Sequence, residues 1–210
     1  MYTLYWNQGS ASLVAHMALE EAGAPYALKL VDLDKGEQRS LEYLKLNPNG
    51  KVPTLVIDGK RSMFETSAIA MYLADRHPQS GLAPAVDDPA RGLYTQWMFH
   101  LTNSLQPLYL LFYYPERHTT EPEHAAEIKA AAMARIGEAW DRVEKALASA
   151  GPYMIGDRFS AADLPVVMLS AWRQAQPEML EKRPNLRRLV ELVLARPAIK
   201  RVAEQNQIAA

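Results

Sequence analysis

The chain has no cysteine, which excludes disulfides, thiolate zinc centres and a cysteine nucleophile. It also lacks any excess of one charge. Lys and Arg number 23 against 24 Asp and Glu, for a net charge of −1. No basic stripe with interleaved aromatics is present, so a nucleic-acid partner is not expected. No uncharged apolar run reaches the length of a membrane span. The first ten residues, MYTLYWNQGS, lack the charged start and apolar stretch of a signal peptide, so a cytoplasmic protein is expected, with no membrane partner. The five histidines show no i,i+4 pairing or carboxylate partner, and no metal is expected. There is no G-x-S-x-G elbow, phosphate-binding loop or dinucleotide fingerprint.

What remains is a chain of 210 residues, 49% apolar, long enough for one large or two small domains. Residues 2–6 are short, aromatic and β-prone. The loop at Asn7 to Ser10 leads into a helix over about 12–22, which Gly23 ends. Alternation at Tyr26, Leu28 and Leu30 predicts a second strand, and so close a strand, helix, strand run implies a right-handed crossover with parallel pairing. One further helix is expected around 40–45. After Pro89 no strand pattern survives. Residues 91–114 read as one long helix kinked at Pro107. Ile128, Ala132, Ile136, Trp140, Val143 and Leu147 give the next helix an apolar face, and Glu138–Arg142 and Asp141–Lys145 pairs lie outside it. Ser160 and Asp163 have capping-box spacing, opening a buried helix that runs to about Gln174.

The informative stretch is 50–73, GKVPTLVIDGKRSMFETSAIAMYL. Its order is strand, Asp58-Gly59 turn, strand and helix. Val52-Pro53 opens the apolar run. Glu65-Thr66-Ser67 stands where the second strand gives way to the helix. Unpaired N–H groups and positive partial charge at a helix N-terminus seat a carboxylate. Glu65 in front of them accepts from a cation. Together they form a seat for an amino acid. The sum, β-α-β then β-β-α, is the thioredoxin-like pattern.

NPNGKVPTL, FETSAIAMYL and GDRFSAADLPV followed by RPNLRRLVELVLARP together resemble the cytosolic glutathione transferases, closest to their bacterial beta- and theta-like branches. The resemblance implies a thioredoxin-like glutathione-binding domain over 1–79, a linker over 80–89 and an all-α domain over 90–210 that contributes the electrophile pocket. It implies glutathione as co-substrate, with Val52 offering its backbone beside a cis Pro53, Glu65 binding the ammonium, Thr66 the carboxylate, and Lys51 or Lys35 reaching the glycyl carboxylate. The beta-class cysteine position is occupied by Ala11, which excludes a mixed disulfide on the enzyme. A hydroxyl at Ser12, in preference to Ser10, is left to stabilise the glutathione thiolate, with Tyr5 a third candidate. Both serines also suit helix capping. Asn103, Gln106, Tyr109 and Tyr113 on the long helix would border the electrophile pocket or meet solvent or a second subunit. The implied function is thiolate attack on a hydrophobic electrophile or peroxide, in a homodimer. Isomerisation, dehalogenation, disulfide reduction or a non-catalytic scaffold role stand as alternatives.

Overall fold

The computed structural model describes residues 1–172 and 175–207. In chain order the elements are β1 (Tyr2–Trp6), α1 (Ser12–Ala22), β2 (Tyr26–Leu30), α2 (Leu41–Leu46), β3 (Thr54–Ile57), β4 (Arg61–Met63) and α3 (Thr66–Arg76). Then follow α4 (Arg91–Phe99), α5 (Gln106–Tyr113), α6 (Ala125–Ala150), α7 (Leu164–Ala171), α8 (Pro184–Leu194) and α9 (Pro197–Gln205). No helix among the described residues is long and apolar enough to cross a membrane. Two compact units divide the chain: Met1–Asp88 with the segment from Leu194 onward, and Pro89–Val193.

The first unit is a four-stranded mixed sheet in the order β2-β1-β3-β4. β1 pairs parallel with β2, as the intervening helix requires. β3 pairs antiparallel with both β1 and β4. All four residues of β3 are buried, as an interior strand demands. Asp58 and Gly59 both take positive φ, 52° and 66°, the conformation a two-residue hairpin turn needs. Gly23 closes α1 with φ 61°. α1 is buried almost all round, because α3 and α9 both pack on it. Glu21 therefore does not face solvent: its side chain forms a bidentate pair with Arg196, at 2.7 Å for each bond.

The second unit is helical. The expected single helix over 91–114 is two α-helices joined by a π-helical segment, His100–Leu105. Pro107 has no N–H to give the Asn103 carbonyl, and the ladder reorganises in the turn before it. Tyr109, expected in the electrophile pocket, is a core residue. It is fully buried and its phenol oxygen accepts a 2.8 Å bond from the Trp140 indole; burial holds its pKa above the ordinary phenol value. Tyr113 is half-buried and donates to the Trp172 carbonyl at 3.3 Å. Asn103 is exposed and Gln106 half-buried.

Two charges on α6 have partners other than the i,i+4 neighbours. Asp141 pairs with the buried Arg183 guanidinium at 2.7 and 2.9 Å. Glu144 accepts from the Asn185 and Leu186 amides at 3.1 and 2.8 Å, a carboxylate at the N-terminus of α8. The Glu138–Arg142 pair is present at 3.5 Å. The Ser160–Asp163 capping box is also present. It closes one 3₁₀ turn ahead of α7, which ends at Ala171; Gln174, the expected end of that helix, lies outside the described residues.

Candidate functional site

The strand directions gather the candidate residues of the first unit at one end of the sheet. Trp6 and Leu30 are paired at the carboxyl ends of the parallel strands β1 and β2. Tyr5 pairs with Thr54 at the start of β3. Leu55 pairs with Met63 at the end of β4. The loops that follow or precede these positions carry Ser10, Lys35, Lys51 to Pro53, and Glu65. Ligand sites on open sheets with parallel strands favour such a rim.

The loop from β1 to α1 is built on the Asn7 backbone. The Asn7 carbonyl accepts from Ser10 Oγ at 2.7 Å and from Ser12 Oγ at 3.0 Å. Ser12 Oγ in turn accepts from the Asn7 amide at 3.2 Å, and Ser10 Oγ from the Ser12 amide at 3.2 Å. The two hydroxyls are 2.7 Å apart. Asn7 Nδ2 anchors the loop to the Val31 carbonyl at 2.9 Å. Burial separates the two serines. Ser12 is fully buried, and Ser10 is half-exposed at the rim. The formal N-cap is Ala11, whose side chain caps nothing.

The second helix N-terminus is tied directly to the first. Thr66 Oγ1 donates to the Ala11 carbonyl at 3.0 Å. The Thr66 hydroxyl thus stands beside the backbone N–H groups that open α3, with its proton on that carbonyl. Glu65 precedes them in an unusual conformation, φ 71° and ψ 112°, costly for a residue with a Cβ. Its side chain is exposed and caps nothing.

The Val52–Pro53 bond is cis. A buried polar cluster fixes the chain in front of it. Tyr43 Oη and Asn47 Nδ2 both donate to the Lys51 carbonyl, at 2.7 and 2.8 Å. Thr54 Oγ1 lies 2.8 Å from that phenol and 3.2 Å from that amide. Burial raises the Tyr43 pKa and keeps the phenol a donor. Gly50 takes φ 59° where a Cβ would lie 3.1 Å from the Gln38 carbonyl, so glycine is required by both conformation and space. Lys51 is exposed. Lys35 is exposed and paired with Asp32 at 2.9 Å, which raises its pKa. Among the described residues no cluster of three or more His, Cys, Asp or Glu is placed to hold a metal.

Tyr43 and Thr54 carry no local signal of their role, while Asn47 sits in the NPNGKVP run without declaring its target. The dependence of both serines on one carbonyl could not be read from residue types. Chemically, the rim offers two helix N-termini, an exposed carboxylate between them, and an extended backbone edge. Those are the needs of a short peptide with one free amino-acid end.

Residues 1–75 match the family described as glutathione S-transferase, N-terminal domain, and residues 103–206 match glutathione S-transferase, C-terminal domain. The chain is 33% identical to glutathione S-transferase Z2 of Arabidopsis thaliana over 97% of its own length and 90% of the relative's. It is 27% identical to glutathione S-transferase GstA of Escherichia coli O157:H7, covering 93% and 94%. Among solved structures, a glutathione transferase homologue from Sulfitobacter with bound glutathione superposes with a TM-score of 0.90 at 27% identity, over 100% and 99% of the two chains. A glutathione transferase from Methylococcus capsulatus gives 0.87 at 30% identity over the full length of both. Matched in both halves and along its whole length, the chain belongs to the glutathione S-transferase family.

Proposed function

We propose that the protein binds glutathione at the rim of the sheet and activates its thiol for attack on a hydrophobic electrophile or peroxide. The observation that carries this reading is the 3.0 Å bond from Thr66 to the Ala11 carbonyl, which joins the two helix N-termini. One is suited to the γ-glutamyl carboxylate and the other to a thiolate. In this reading the Val52 backbone pairs with the cysteinyl unit, Glu65 accepts from the ammonium, and Lys51 meets the glycyl carboxylate. Lys35 has the same task only when it leaves Asp32. Relatives solved with glutathione support it. The family resemblance supports a homodimer, and the exposed Leu93 and Phe99 on α4 are suited to a subunit contact.

Burial favours Ser10 over Ser12 as the hydroxyl that meets sulfur. Ser12 is sealed from the rim, yet its proton also reaches the Asn7 carbonyl. Ser10 is thereby free to turn its own proton to a thiolate without stranding that carbonyl. With no cysteine in the chain, the reactive sulfur comes from glutathione alone. Replacing Ser10 by alanine is expected to lower kcat/KM for conjugation roughly 10-fold, the worth of one donor to a charged group, with KM for glutathione little changed. Steady-state kinetics on a panel of electrophiles checks this. Binding without turnover in the wild type would favour a glutathione-binding scaffold; no binding at all would overturn the reading.

A further inference from the structure

The polar contacts between α1 and α9 form a closed ring whose proton directions are fully determined. Tyr26 Oη lies 2.6 Å from Glu20 Oε1, and a carboxylate only accepts, so Tyr26 donates. Its oxygen must then accept from His16 Nε2 at 2.9 Å. That leaves His16 Nδ1 bare, and Asn206 Nδ2 donates to it at 3.3 Å. The same Asn206 nitrogen donates to the Val202 carbonyl at 2.9 Å. Glu20 Oε2 accepts from Arg201 at 2.8 and 3.1 Å. Arg201 and Asn206 stand on α9 and at its C-cap, so the helix itself closes the ring. His16 is fully buried in it, and burial lowers its pKa to about 4.

One further bond leaves the ring. Gln8 Nε2 donates to the Asn206 main-chain carbonyl at 3.2 Å. That carbonyl is one of those a helix end leaves without an intrahelical partner. Gln8 follows Asn7, whose carbonyl holds both serine hydroxyls. We propose that Gln8 and Asn206 are positioning residues through which α9 sets the orientation of the Asn7–Ser10 loop, and so the strength with which Ser10 and the α1 N-terminus stabilise the glutathione thiolate. The proposal rests on the glutathione reading above. Neither residue touches the thiol in it; each acts through the loop backbone. α9 is the last described helix of the chain, yet it governs the first loop.

Two variants test this. Gln8→Met keeps the approximate size of an exposed side chain and removes its donor without adding a charge. Asn206→Leu keeps the branched heavy-atom shape and removes the donor to His16. In each, the ultraviolet titration of bound glutathione is expected to move up in pH, and kcat/KM at neutral pH to fall about 3- to 5-fold, the effect of one neutral hydrogen bond. The Kd for glutathione should change less than twofold. A lower Tm with the bound-thiol titration unmoved would mean a merely structural role and would overturn the proposal. Should Asn206→Leu fail to fold, Gln8→Met carries the test alone. Amide exchange of residues 7–11 without ligand separates the two readings. Faster exchange in Gln8→Met supports the positioning link even where glutathione does not bind, and unchanged exchange removes it even where glutathione does.

Discussion

Replacing Glu65 by alanine is expected to weaken glutathione binding roughly 10- to 100-fold, the range for a hydrogen bond to a charged partner. Calorimetric titration reads the loss directly. Little stability should go with it, because the Glu65 side chain is exposed and caps nothing. The contrast with glycine is sharper. Alanine at 65 keeps the unfavourable φ of 71°, whereas glycine adopts it at no steric cost. Glu65→Gly should therefore lose the same affinity while gaining about 0.5–1 kcal/mol of stability over the alanine variant. A residue held against its backbone preference is a sign of use at a site. Equal affinity in wild type and both variants would show that the ammonium is held elsewhere.

Replacing Asp163 by alanine is expected to cost about 4 kcal/mol, well above the ~1 kcal/mol of an ordinary helix cap. The capping box is only part of its work. Asp163 is fully buried and accepts from the Ser160 amide at 2.7 Å and from the Met154 amide at 2.8 Å. Without the carboxylate both amides are buried and unpaired, which is the expensive outcome. For a chain of this size the Tm should fall by about 10 °C in a thermal melt. Ser160→Ala removes one acceptor and should cost only about 1 kcal/mol. A drop of similar size in both variants would deny the Met154 contact its share.

Local signals carry much of this molecule. The sheet follows from alternation and aromatic content, the β3–β4 turn from Asp58-Gly59, the α3 start from Glu65-Thr66, and the capping box from the spacing of Ser160 and Asp163. Each depends on residues a few positions apart. The features that were not legible depend on residues far apart. The partner of Glu21 on α1 is Arg196, which arrives from the other end of the chain. Asp141 looks like half of an i,i+4 pair with Lys145, but the buried Arg183 guanidinium takes it. Tyr109 reads as a polar aromatic on a pocket helix, and only the Trp140 indole explains its full burial. At the site, Glu65 and Val52-Pro53 stand out by type and spacing. The choice between Ser10 and Ser12 does not, because both have the same chemistry and only tertiary burial separates them. The Lys35 pairing with Asp32, at 2.9 Å, was not read from the sequence although the two lie three residues apart.

The most direct test is the ultraviolet titration of the glutathione thiol bound to the wild-type protein. A free thiol ionises near ~8.5, and a helix N-terminus with one hydroxyl donor favours the thiolate. The bound thiol is expected to ionise at least one pH unit lower, with the shift reduced more in Ser10→Ala than in Ser12→Ala. A bound thiol that titrates where free glutathione does would contradict thiolate activation at this loop.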